Sequence, residues 1–114
     1  MGRSRDRPAA VSDTALVFVT FRNRTEAERI AETLLTERLA ACVNIMAPCV
    51  SLYRWEGRIE RAEEVPALLK TRTMMASKLR ERLAELHSYE LPVIESWNVQ
   101  ATDAAAAWIE RETR

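Results

Sequence analysis

Three observations predict an α+β domain with the element order β-α-β-β-α-β. A short apolar run rich in β-branched and aromatic residues, Ala15–Phe21, stands first. Two stretches with helical periodicity, Thr25–Arg38 and Thr73–His87, lie on either side of a long strand-like block. That block is turned in its middle by Glu56-Gly57. Strand, helix, hairpin, helix and a last strand make the split βαβ, or ferredoxin-like, plan.

The elements follow in order. Ala15–Phe21 has the continuous apolar character of a strand buried on both faces. Thr25-Glu26-Ala27-Glu28 has the capping-box pattern, in which the threonine hydroxyl and Glu28 satisfy a helix's first free amides. Ala27, Ile30, Ala31, Leu34 and Leu35 then recur at helical spacing up to Arg38. Ala41–Trp55 reads as one long strand interrupted at Pro48, which cannot donate to a ladder. Glu56-Gly57 supplies the tight reversal, because glycine tolerates positive φ. Arg58–Thr71 is the return strand, with a local break expected at Pro66. Met75, Leu79, Leu83 and Leu86 stripe the second helix, Val93–Val99 forms the fourth strand, and Asp103–Arg111 an added C-terminal helix. Ala15–Phe21 and Val65–Thr71 are expected as the central strands of a sandwich with its helices on one face.

A chain of 114 residues suits one domain, placed at 14–114, with residues 1–13 expected as a disordered tail. Lysine plus arginine equal aspartate plus glutamate at 17 each, so no net field draws in nucleic acid or anionic lipid. No apolar run is long enough to span a bilayer. The arginine-bearing first residues lack the apolar middle of a secretory signal, so the expected location is cytoplasmic. In one regular strand Cys42 and Cys49 would face opposite ways, roughly 23 Å apart. A disulfide bridges Cα atoms only up to about 7 Å, so both are read as free thiols.

The hairpin arms exceed the usual strand length of about five to six residues. Such a ribbon exposes edges and aromatic faces that something else normally covers. Tyr53 and Trp55 near its tip point to another copy of the chain as the cover.

No Gly-rich phosphate loop, serine elbow, CxxC or HExxH pair occurs, and the only glycines are Gly2 and Gly57. An enzyme is therefore not expected. Soft metal ions take thiolate, imidazole and thioether, here Cys42, Cys49, His87, Met46, Met74 and Met75. One histidine and two distant thiols cannot close a tetrahedral zinc site within one chain. From the strand alone Cys42 reads first as a small buried hydrophobe. His87 likewise reads first as a partner for its helix's C-terminal dipole. Glu63 and Glu64, adjacent in a strand, face opposite ways and do not make a joint hard-cation site.

The ordered set Leu39-Ala40-Ala41-Cys42-Val43-Asn44-Ile45, Ser51-Leu52-Tyr53-Arg54-Trp55-Glu56-Gly57, Lys70-Thr71 and His87-Ser88-Tyr89-Glu90-Leu91-Pro92 resembles the CutA family of divalent-cation tolerance proteins from Ala15 to Ile109. The resemblance implies a homotrimer whose hairpins extend between protomers. It also implies a non-enzymatic role in copper or divalent-cation tolerance. Cys42 and His87 match positions that the family associates with copper or another divalent cation, and no metal is needed for folding. Four positions depart from the family pattern. Ser88 stands for a proline, Val93 for a glutamate, Asn98 for a proline and Ala105 for a tyrosine. A second reading is a small-molecule sensor with clefts between subunits, lined by Tyr53, Trp55, Lys70, His87 and Tyr89. A metal-independent scaffold for a partner protein is the third.

Overall fold

The computed structural model describes residues 13–114, so the expected tail lies, apart from Asp13, outside the described residues. Strand β1 (Thr14–Phe21) leads to helix α1 (Arg24–Thr36), then to β2 (Cys42–Ile45), β3 (Cys49–Trp55) and β4 (Arg58–Arg72). A 3₁₀ turn at Thr73–Met75 opens helix α2 (Ala76–Leu86), followed by β5 (Glu95–Val99) and helix α3 (Asp103–Glu112). All pairings are antiparallel, in the order β2-β4-β1-β5, with β3 on the far part of β4. The two expected central strands are thus central, in an α+β ferredoxin-like plan.

One sheet face is the core. Val17, Val19 and Phe21 of β1 lie opposite Leu69, Ala67 and Val65 of β4. Ala27, Ile30 and Leu34 of α1 and Leu79 and Leu83 of α2 pack on this set. Each buried leucine or isoleucine contributes about 1.5–3 kcal/mol. The alternate residues Leu16, Phe18, Leu68 and Lys70 point the other way and stay half-exposed. We call theirs the open face. Leu35, expected on the buried stripe, is 39% exposed.

Helix starts differ from expectation. Asn23, not Thr25, caps α1: its side-chain oxygen accepts the Glu26 N–H at 2.8 Å. The first helical amides are thereby satisfied two residues earlier than the Thr25–Glu28 pattern implies. At the other end Leu39 N–H bonds Leu34 O and Arg38 N–H bonds Leu35 O. This Schellman closure puts Arg38 at φ 62°, where glycine is usual. The same Arg38 guanidinium donates to the Arg111 carbonyl of α3 at 2.8 Å.

The two prolines act together. Seven steps from Cys42 to Cys49 are matched by six from Lys70 to Glu64. One extra residue is therefore accommodated in the Met46–Pro48 segment, as in a β-bulge. The expected break at Pro66 does not occur, and β4 runs through it unbroken. Its carbonyl accepts the Met46 N–H at 2.9 Å. A residue's N–H and C=O point to the same neighbour, so the missing donor faces the irregular Met46–Pro48 segment. The β1–β4 ladder loses nothing.

The hairpin projects. The molecule measures 57 Å in its longest direction against 27 and 23 Å. Glu56 (φ 48°) and Gly57 (φ 79°) both take left-handed backbone, as a two-residue type I′ reversal requires. Trp55 then pairs with Arg58, and the register runs on to Cys49 opposite Glu64.

Candidate functional site

Where β1 ends, β4 continues toward the hairpin with no partner strand on that side among the described residues, and a polar cluster fills the place. Phe21 is the last β1 residue, opposite Val65; Glu64 is one step beyond. The loop after α2 returns here. His87 stacks on Phe21, ring centroids 5.0 Å apart and planes 12° from parallel, and Tyr89 lies against His87 at 4.7 Å.

Hydrogen bonds define the protonation of each member. The Tyr89 N–H donates to His87 Nδ1 at 3.1 Å. The imidazole proton is therefore on Nε2, which donates to the Thr20 carbonyl at 2.9 Å. His87 thus serves β1 rather than the end of its own helix, contrary to the dipole reading. The Tyr89 hydroxyl donates to Glu64 Oε2 at 2.6 Å, and Ser51 and Thr20 hydroxyls also reach this carboxylate. Burial is the strongest influence on Glu64 and opposes its ionisation. The three hydroxyl donors outweigh it together, and its pKa is lowered. Burial and then the bond to the Glu64 carboxylate raise that of Tyr89.

Glu26 of α1 is the second buried carboxylate. Burial again opposes its charge most, but Ser88 and the Arg22 N–H offset this and lower the pKa. The Ser88 N–H donates to Glu26 Oε2 at 3.0 Å. A proline at this position would have no N–H, so the Ser88 departure adds a donor. Glu64 (8% exposed), Glu26 (5%) and His87 (7%) are all closed off from solvent within one chain.

The bulge decides what shares this face. Cys42 pairs with Lys70 and Cys49 with Glu64, both even-numbered β4 residues, so the two cysteines point to one face. Opposite faces would require a regular strand, which Met46–Pro48 breaks. They stay free thiols, about 20 Å apart along β4. Tyr53 and Trp55, opposite Glu60 and Arg58, continue the same face, as does Lys70 at its other end. From Arg58 to Lys70 this face is about 40 Å long, so of the five expected cleft residues one chain gathers Tyr53, His87 and Tyr89 around Glu64 and leaves Trp55 and Lys70 apart. Glu63, paired with Val50, faces away from Glu64 as expected.

One chain does not bring Cys42 and His87 together. Cys42 is half-exposed on the open face, its sulfur 3.8 Å from Asn44 Oδ1. His87 stacks on Phe21 on the helix face, about 17 Å further along the sheet. Among the described residues no three His, Cys, Asp or Glu side chains cluster as a metal site.

The family model described as CutA1 divalent ion tolerance protein matches residues 15–112. The chain belongs to this family. It is 40% identical over 100 residues to a divalent-cation tolerance protein CutA of Pyrococcus horikoshii, covering 87% of this chain and 97% of that one. The crystal structure of CutA from Xylella fastidiosa superposes with a TM-score of 0.87 at 38% identity, over 90% of this chain and all of that one. A CutA structure from Archaeoglobus fulgidus, described as periplasmic, gives 0.85 at 35% identity, over 89% and 99%.

Thr20, Glu26, Ser51 and Glu64 are site residues that sequence reasoning missed. A signal existed for two of them. A two-residue reversal at Glu56-Gly57 sets Trp55 opposite Arg58, and counting back puts Ser51 and Glu64 on the face of Tyr53. Glu26 carried no such signal, because its partner Ser88 is 62 residues away.

Proposed function

We propose that this CutA-family protein contributes to divalent-cation tolerance as a non-enzymatic homotrimer that binds a soft ion, copper foremost, through Cys42. Membership of the family over residues 15–112 carries the proposal. Assembly is supported by the hairpin, whose Leu52 and Ile59 are 69% and 73% exposed on the face opposite Tyr53. Large apolar side chains exposed on both faces of one ribbon mark a surface that another one covers. The metal reading is supported by the half-exposed Cys42 thiol, with Met46 in register on the same face. His87 joins as ligand only from another copy, and only by giving up one of its two ring bonds. Calorimetry with Cu(I) under reducing conditions tests this on wild type, Cys42→Ser and His87→Ala. Binding lost in Cys42→Ser supports it; unchanged binding makes Cys42 a packing residue and ends the metal reading. The proposed compartment is the cytoplasm, tested by cell fractionation. Among the described residues no helix is long and apolar enough to cross a membrane.

One observation favours the small-molecule reading: the ionised, hydroxyl-lined Glu64 beside Tyr89 and on the face of Tyr53. Completion by a second copy would give it the depth of a ligand cleft. Ligand-induced changes in Tyr53 or Tyr89 signals that persist in Cys42→Ser would favour it.

A further inference from the structure

Two exposed strips of this chain match each other in pattern and oppose each other in charge. Along β3, Val50, Leu52 and Arg54 stand at alternate positions on the face opposite Tyr53. All three are exposed, Val50 by 50% and Leu52 by 69%. Their β4 partners Arg61 and Ile59, opposite Leu52 and Arg54, extend the strip. Among the described residues neither Arg54 nor Arg61 forms an ion pair.

The second strip follows Tyr89. Leu91, Val93 and Glu95 are exposed, while Pro92, Ile94 and Ser96 between and after them are half-buried. Leu91 and Val93 are each 65% exposed, and Ile94 packs on the core. The segment thus turns one side outward with the period of two of an extended chain. Glu95 forms no ion pair among the described residues. In chain order one strip is apolar, apolar, base and the other apolar, apolar, acid, each stepping about 6.6 Å. Val93 replaces the glutamate of the family pattern, so this order belongs to this chain.

The strips do not meet within one chain, since both stay exposed in it. Tyr89 also ties the start of its loop to Glu64, on the other face of the hairpin. We propose that the Leu91–Glu95 strip of one copy docks on the Val50–Arg54 strip of the next. Leu91 and Val93 cover Val50 and Leu52, and Glu95 pairs with Arg54. The inference rests on the homotrimer reading above and goes beyond it, because each contact joins two different surfaces. Such a head-to-tail contact closes into a ring when the rotation between copies allows. Apolar cover supplies the affinity, and the charge pair fixes the register.

Light scattering over a dilution series tests this on wild type, Arg54→Glu, Glu95→Arg and the double variant, with circular dichroism confirming that each is folded. Each single variant sets like charges face to face, so it should dissociate at a concentration at least about tenfold higher than wild type. The double variant should return to within about threefold. A trimer too tight to dilute apart is read by a second measurement. Leu52→Cys with Val93→Cys, in a Cys42→Ser, Cys49→Ser background, should give chains linked to one another on mild oxidation, as seen on a denaturing gel. A wild-type trimer with neither the charge effect and its rescue nor the cross-link would overturn this docking and leave the trimer reading standing. A wild type that is monomeric at every concentration would overturn both.

Discussion

The Tyr89 hydroxyl donates to Glu64 Oε2 at 2.6 Å across 25 residues of chain, closing the loop after α2 onto the base of the hairpin. Glu64 is buried, so its charge is tolerated only while such donors face it. This bond links the element that carries Tyr53 and Trp55 to the loop that carries His87.

Tyr89→Phe should cost about 1–3 kcal/mol, because it leaves a buried carboxylate short of a donor. Glu64→Gln should cost a similar amount. The two changes should fall short of additive by more than about 0.5 kcal/mol in denaturant melts. Strict additivity would mean that the bond carries no coupling.

Acid should destabilise the protein through Glu64 and Glu26. Both folded-state pKa values are lowered, so their stabilisation is fully present above the unfolded carboxylate value of about 4.3. It is lost as pH falls through the folded values. Melting temperature between pH 6 and pH 3 should therefore fall less steeply in the double variant Glu26→Gln, Glu64→Gln than in wild type.

Ser88→Pro should destabilise the fold by about 1–3 kcal/mol, since it removes the N–H and hydroxyl that face the buried Glu26. Thermal melts against wild type measure it. No loss would show that Glu26 finds other donors.

Gly57→Ala should cost about 1–2 kcal/mol through backbone strain alone. An added Cβ meets nothing within 4 Å, but φ is +79°. Denaturant melts should show this loss with the assembly state unchanged.

Light scattering should give three times the chain mass of 13.0 kDa. Ile59→Asp and Trp55→Ala should lower that mass at low concentration, because both alter exposed apolar hairpin residues. A wild-type monomer at all concentrations would end the trimer proposal.

The sequence by itself determined the element order, the two central strands and the Glu56-Gly57 reversal. Each depends on periodicity or backbone freedom within a few residues, which neighbouring side chains alone set. It also pointed to the family, through short ordered motifs. Tertiary structure decided the rest. Pro66 looked like a break because ladder donors are counted within one strand, yet the bulge at Met46–Pro48 lies opposite its missing N–H. That bulge also turned Cys49 onto the face of Cys42. Glu26 stood within a helix-start pattern and Glu64 within an acidic pair, and they became buried, ionised hubs only when the loop at His87–Tyr89 closed on them. Buried charge depends on donors brought from far along the chain, and no local pattern encodes that meeting.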